Sequence, residues 1–439
     1  MSSLAIGWSC IGVGMLLMAG GFPIGVALGA VSFVGIWLIA SESAAWGMLK
    51  AIPFNSAGSW DLTAVPMFLF MGYIAANTGL TKGLFRAMQI FLVRLPGGLA
   101  CASVGACALF SAVSGSSVAT AAAMCRIAVP EMLRAKYDPG LATGVIASAG
   151  TLGSLIPPSI LIVLYGIFAE VSIGTLFIAA FIPGFLSALM FMVMIVGLAV
   201  WRPSLAPRVE RHFTTTDRLN ALREIWPLPV LIFGVLGGIM AGLFTPTEAG
   251  AIGAFLTLVI ALLRRSVTVE ALKHATFQTL SSTASIFILI IATVLLTRLM
   301  ALSGVPDFLA EQLLSLGSGP LFTVLCAAVL FIILGCFIDP IGLMLLSLPI
   351  LLPILREAEL SLVWFGIVTI KLLEIGLVTP PVGLNAYVIK GTLGDRVPLH
   401  TIFRGISWFI VADLITLGLL IGFPQISLIL PELLGSPMR

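Results

Sequence analysis

Apolar runs of about 20 residues recur along almost the whole chain, parted by short polar or Gly/Pro-containing joints, and this pattern leaves few folds open. A run of that length matches the ~30 Å hydrocarbon core of a bilayer. Charge is correspondingly scarce: 9% of the 439 residues are Asp, Glu, Lys or Arg, where a soluble domain carries about a quarter. With 59% hydrophobic residues and a mean hydropathy of +1.17, lipid is the solvent. The chain reads as an all-α polytopic membrane protein. Its net charge of +3 is small and its basic residues sit in the joints, which suits topology determination rather than nucleic-acid binding.

Other chemistries find little support. Cys10, Cys101, Cys107, Cys125, Cys326 and Cys336 lie in apolar stretches without metal-type spacing and read as small packing residues. His212, His274 and His400 are isolated in or beside loops, so no zinc site is expected. Walker A and H-E-x-x-H patterns are absent, and no nucleophile, base or metal constellation suggests an enzyme. The first Lys or Arg is Lys50, so a basic leader is missing and the first helix is expected to be retained.

The two halves resemble each other at an offset of about 224 residues. Gly20-Gly21-Phe22-Pro23, then Gly29-Ala30, is echoed by Gly242, Phe244 and Pro246, then Gly253-Ala254. Thr78-Gly79-Leu80 is echoed by Ser303-Gly304-Val305, and Gly153 to Pro158 by Gly376 to Pro381 with both proline pairs in register. Residues 1–223, including the loop 202–223, form one expected repeat, and 224–439 the other. Spans are expected in the first repeat near 4–20, 22–40, 61–77, 139–169 (broken at Pro157-Pro158) and 173–200. Amphipathic stretches at 44–59 and 79–95 are too polar to span, and 97–136 reads as a re-entrant helical hairpin turning at Ser114 to Ser117. The second repeat offers spans near 226–243, 248–263, 281–300, 361–390 (broken at Pro380-Pro381) and 400–421, with a hairpin near 320–355.

Charge orients this arrangement. With the hairpin counted as no net crossing, the segments 82–94, 126–136, 202–223, 264–273 and 390–404 share one side and hold 17 of the 22 Lys and Arg residues. The positive-inside rule makes that side cytoplasmic and both termini periplasmic. Lys50, Arg298, Lys371, Arg356 and Arg439 are the exceptions. About five crossings per repeat is an odd number, so the second repeat is expected to be inverted, an architecture whose binding sites form at the midplane.

Non-helical backbone at membrane depth persists only where protein or an aqueous cavity satisfies it, which draws attention to the breaks. Gly153 to Pro158 combines a permissive glycine with two residues that lack amide donors, leaving carbonyls free to face a cation. Ser111 and Ser114 can add hydroxyl oxygens, the ligand type that a hard monovalent cation prefers. Gly376 to Pro381 with Thr379 is the matching break, opposite a hairpin around Gly335 and Asp339-Pro340. A proline pair by itself marks only a kink, and serines by themselves let helices approach. Four coincident elements in register favour a site. Asp339, acidic in an apolar setting, is a candidate coupling residue, while Lys371 and Glu374 at i, i+3 read as a structural pair. Ser116, Ser117 and Asn385 are candidate substrate ligands near helix N-termini that favour negative charge.

The run Phe110 to Thr120 (F-S-A-V-S-G-S-S-V-A-T), Gly150-Thr151-Leu152-Gly153 leading to Ile156-Pro157-Pro158-Ser159, and Gly376 to Asn385 (G-L-V-T-P-P-V-G-L-N) resemble the large, DctM-like membrane subunit of tripartite ATP-independent periplasmic (TRAP) transporters. The resemblance covers nearly the whole chain. It implies an elevator-type carrier of small organic acids in the bacterial inner membrane, fed by a periplasmic solute-binding protein and bound to a small four-helix membrane subunit. That subunit is expected as a separate polypeptide. By the same resemblance, Ser111, Ser114, Gly153, Ile156 and Pro157 form one sodium site, and Gly335, Gly376, Thr379 and Val382 a second, Val382 through its backbone alone. No cofactor is expected beyond sodium as coupling ion. A stand-alone sodium/dicarboxylate symporter and a non-transporting membrane scaffold are the competing readings.

Overall fold

A computed structural model describes residues 2–80, 82–208, 213–315 and 320–435. His212, Arg439 and the middle of the expected loop, 209–212, lie outside the described residues. The helices are α1 (Ser3–Ala19), α2 (Ile24–Ile39), α3 (Glu42–Ala57), α4 (Ala64–Asn77), α5 (Lys82–Leu92), α6 (Gly98–Ser114), α7 (Ser117–Arg134), α8 (Pro139–Leu155), α9 (Ile160–Ala169), α10 (Ile173–Trp201) and α11 (Thr215–Ile225). The second half continues with α12 (Pro227–Met240), α13 (Pro246–Leu263), α14 (Val269–Ser303), α15 (Val305–Ser315), α16 (Pro320–Gly335), α17 (Pro340–Glu357), α18 (Leu362–Val378), α19 (Leu384–Leu393), α20 (Leu399–Gly422) and α21 (Gln425–Leu433). Among the described residues, no strand accompanies them.

Six of these elements are long and apolar enough to cross a bilayer, with α8–α9 taken as one, and up to eight if the bent pairs α3–α4 and α11–α12 each form one span. The expected spans near 4–20 and 22–40 are helices of 17 and 16 residues, about 25 Å each and at the short end of spanning length. The stretch at 44–59, expected not to span, is α3, which meets the α4 unit at 59°. The expected span at 281–300 is the inner part of a much longer helix, the 35-residue α14. Three further helices, α11, α15 and α21, of 11, 11 and 9 residues, are too short to register as apolar runs of spanning length. The Thr214 hydroxyl starts α11 by a capping box, and its hydrogen bond to Asp217 holds that carboxyl below the usual range.

Burial sorts the helices into layers. Every residue of α18 from Val363 to Val378, and of α8 from Gly140 to Leu155, is buried. These two touch each other and are wrapped by α6, α7, α10, α16, α17 and α20. At the periphery, large apolar side chains point outward: Phe54, Phe233 and Leu243 are 80%, 75% and 77% exposed. Water would penalise such a surface and lipid does not. Cys326 on α16 belongs to this outer surface, so five of the six cysteines are buried packing residues and one is not.

Both hairpins form. α6 and α7 pack on α8, and α16 and α17 pack on α18. Gly115 ends α6 with φ of 58°, a left-handed turn that glycine adopts without the steric cost of a Cβ. Ser116 then caps α7 by accepting from the Ala119 amide. In the second hairpin Asp339 caps α17, its Oδ1 accepting from the Gly342 amide at 3.0 Å, with Pro340 in the first turn.

Helices α8 and α20 meet backbone to backbone. A Cβ at Gly405 would lie 1.8 Å from Gly140 O, and one at Gly144 would lie 2.5 Å from Gly405 C. Gly405→Ala should therefore force the two helices apart, at a cost of about 1–3 kcal/mol or more. A lower melting temperature in detergent for this variant, set against Gly418→Ala on the same helix, where a Cβ meets nothing within 4 Å, checks it. Equal melting would show that this contact does not hold the core.

Candidate functional site

The first break exposes its acceptors by subtraction. Pro157 and Pro158 carry no amide hydrogen, so Gly153 O and Ser154 O lose the donors that a continuing helix would supply. Ser159 Oγ takes Ser154 O at 2.5 Å, while Gly153 O keeps no helical donor. The tip of the first hairpin is pressed onto this spot. A Cβ at Gly153 would stand 2.7 Å from Ser116 O, and one at Gly115 would stand 2.9 Å from Pro158 O. The Ile160 amide, first of α9, donates to Gly115 O at 3.3 Å.

Of the residues expected at the first sodium site, Gly153 packs on the hairpin tip at Ser116, Ser114 Oγ lies 3.5 Å from Ser116 O, and Ile156 and Pro157 follow Gly153 in the break, with Ser111 one turn before Ser114 on α6. Ser111 is fully buried and its Oγ has no hydrogen-bond partner, an anomaly for a hydroxyl and one that a cation would resolve. Ser114 Oγ lies 2.7 Å from Thr120 Oγ1. Thr120 was missed in the sequence, although a hydroxyl one turn beyond the cap residue Ser116 was a legible signal. Ile156 packs against α10, where a Cβ at Gly184 would meet its Cγ1 at 2.9 Å.

The second break repeats these parts in a looser form. Gly335 and Gly376 touch through their backbones, a Cβ at Gly376 lying 2.8 Å from Gly335 Cα. The Thr379 amide and hydroxyl both donate to Ile375 O, at 3.1 and 2.6 Å, which leaves the hydroxyl lone pairs open. Whereas Pro157 and Pro158 are buried, Pro380, Pro381 and Val382 are exposed. Both proline pairs contain a cis peptide bond.

Between the two hairpin tips lies a cavity of about 160 Å³ lined by Ser116, Ser117, Ser154, Asp339, Ile160 and Leu384, among others. A larger cavity of about 340 Å³ between α1, α2, α14 and the second hairpin is almost wholly apolar. The smaller one is where polar groups converge. It is the meeting point of four helix N-termini: Ser117 begins α7, Ile160 begins α9, Pro340 begins α17 and Leu384 begins α19. Neither α9 nor α19 has a side-chain cap. The four N-termini bring partial positive charge to the cavity beside the Asp339 carboxylate, and its lining carries no Lys or Arg.

Of the expected substrate ligands, Ser116 and Ser117 line this cavity, and so does Asp339. Asn385 is elsewhere: it is fully buried and its Nδ2 donates to Ala147 O at 2.9 Å, tying α19 to α8. Thr379 and Val382 are not on the cavity wall either. Ser154, which is on it, was passed over because it stands between two more conspicuous residues, Gly153 and the proline pair.

A family model described as "Tripartite ATP-independent periplasmic transporter, DctM component" matches residues 11–426. The chain is 31% identical over 419 residues to the sialic acid TRAP transporter large permease protein SiaM of Vibrio cholerae, covering 95% of this chain and 96% of that protein. It is 34% identical over 383 residues to the C4-dicarboxylate TRAP transporter large permease protein DctM of Pseudomonas aeruginosa, covering 87% and 88%. An isethionate TRAP transporter permease protein, DctMQ, of Oleidesulfovibrio alaskensis is 32% identical, over 87% of this chain and 60% of that one. Among solved structures, the YdaH transporter of Alcanivorax borkumensis shares the fold, with a TM-score of 0.61 at 16% identity over 96% of this chain and 97% of that one.

The anion reading is checked at Leu384, which is 38% exposed at the cavity. In a variant without native cysteines, Leu384→Cys should react with a small thiol reagent, and organic anions that fill the cavity should slow the reaction. Equal rates with every anion offered would separate the cavity from anion binding.

Proposed function

Because the chain belongs to the DctM component family of tripartite ATP-independent periplasmic transporters, and so is a multi-span large permease subunit rather than an enzyme, we propose that it imports a small organic acid with sodium as coupling ion. The convergence of four helix N-termini on a cavity that Ser116, Ser117 and Ser154 line beside Asp339 carries the substrate class. Sialic acid, C4-dicarboxylate and isethionate, named for the relatives, are all organic acids, which supports the same reading. A small membrane subunit and a periplasmic solute-binding protein complete the transporter, in the bacterial inner membrane.

Sodium occupies two places in this reading, one per repeat, the second repeat being inverted relative to the first. The first is the enclosure of Ser111, Ser114, Gly153, Ile156 and Pro157, supported by the orphaned Ser111 hydroxyl and the freed Gly153 carbonyl. The second is formed by Gly335, Gly376, Thr379 and Val382, whose break is exposed. Closure of the tips over substrate would complete it, which couples ion to cargo. Asp339, on the cavity wall, is the alternative coupling group should protons replace sodium.

Ser111→Ala, Ser114→Ala and Thr379→Ala each remove one hydroxyl from a hard-cation shell. Each should raise the sodium concentration for half-maximal uptake roughly threefold to tenfold, the scale of a contribution of about 1 kcal/mol. Ser204→Ala, at an exposed position outside the helices, serves as control. Uptake by proteoliposomes that hold the permease subunits and binding protein is the measurement. Unchanged uptake when sodium is replaced by potassium at fixed membrane potential would end the sodium reading. Full uptake by this chain without a binding protein would favour a stand-alone symporter.

Orientation follows from the 17 basic residues on one side. A cysteine at Thr215, exposed at the start of α11, should be modified by impermeant reagents only after the inner membrane is opened. Modification in intact spheroplasts would overturn the topology and the inversion with it.

A further inference from the structure

A cluster of wholly buried charges centres on α18. Lys371 Nζ stands 2.6 Å from Asp413 Oδ1, 3.1 Å from Glu374 Oε2 and 3.2 Å from Ser187 Oγ. The Lys371, Glu374 and Asp413 side chains are wholly buried. Three helices meet here, since Ser187 belongs to α10, Lys371 and Glu374 to α18, and Asp413 to α20. The Phe191 ring, one turn after Ser187 on α10, lies 5.6 Å from the ammonium. Two carboxyl groups surround one ammonium, and one oxygen of each, Glu374 Oε1 and Asp413 Oδ2, has no hydrogen-bond partner. An apolar interior tolerates such a grouping only while a cation holds it together.

We propose that this enclosure is a cation-binding site, lined by oxygens of Asp413, Glu374 and Ser187, and that Lys371 occupies it as a tethered cation in place of a free monovalent ion. An ammonium is a compact point charge with three donors, and three oxygens from three helices meet it. The lysine stem reaches the site along α18 itself, so the cation cannot leave. Because α18 ends in the second break about a turn after Glu374, the fixed charge holds that helix in place against α10 and α20 throughout transport.

A free cation should replace the tethered one once the stem is gone. Lys371→Ala and Lys371→Ser leave the oxygens and open the volume of the side chain. Melting of the purified variants is measured in choline, sodium, potassium and methylammonium chlorides at equal ionic strength. Both variants should melt well below the wild type in choline, which is too large to enter, and regain much of the loss in at least one of the small cations. The wild type should not distinguish the four salts by a comparable margin. Lys371→Met, which fills the space without charge, should stay low in all four. This pattern would not follow from a merely structural lysine, whose removal would lower melting equally in every salt. Melting of Lys371→Ala and Lys371→Ser that is independent of the cation, or Lys371→Met as stable as the wild type, would overturn the proposal. So would failure to recover both small variants folded when cells are grown and membranes extracted in sodium, potassium or methylammonium salts.

Discussion

A backbone that stops being helical inside a bilayer must find protein partners for the groups it frees, and that constraint shapes the centre of this molecule. At Pro157-Pro158 and Pro380-Pro381 the chain gives up amide donors between two apolar helices, and in both places a hairpin tip is laid against the break. The contact between Gly115 O and the Ile160 amide shows how local the solution is: a turn carbonyl from one element satisfies the first amide of the next. What remains unsatisfied, such as Ser111 Oγ, becomes available for chemistry.

Close approach of backbones is the means by which these contacts are made. Gly153 on Ser116, Gly72 on Ser114, Gly335 on Gly376 and Gly405 on Gly140 each place main-chain atoms where a Cβ would not fit. Leu and Phe pack the outer layers, but small residues pack the hairpin tips and breaks. Without a hydrophobic driving force between helices in lipid, association rests on such close van der Waals contact. The same contacts bring four helix N-termini to the wall of one cavity that has no Lys or Arg in its lining.

Charge inside the body is handled differently at two places. Asp339 lies beside the cavity and is engaged by the start of α17, so its carboxylate is met by backbone amides. Lys371, Glu374 and Asp413 are sealed among α10, α18 and α20 and satisfy mainly one another. The i, i+3 spacing of Lys371 and Glu374 was legible along α18. Asp413 was not connected with them, because it stands 42 residues away from Lys371 on another helix. A lone acidic residue in the middle of a 24-residue apolar helix was the available signal.

The sequence by itself determined the solvent, the helical class, the positions of both hairpins and both breaks, and the residues of the first hairpin tip. Each of these depends on local properties: run length, charge scarcity, and the missing amides of proline. Helices such as α11, α15 and α21 escaped because they are too short to form an apolar run of spanning length, and α14 exceeded its apolar core because polar turns extended it. Only the tertiary structure decided that Asn385 serves the α8–α19 contact rather than the cavity wall, that Thr120 and Ser154 join the site, and that the first break is enclosed while the second is exposed. These outcomes depend on which face of a helix meets which neighbour, and spacing along one chain does not fix the rotation of one helix against another.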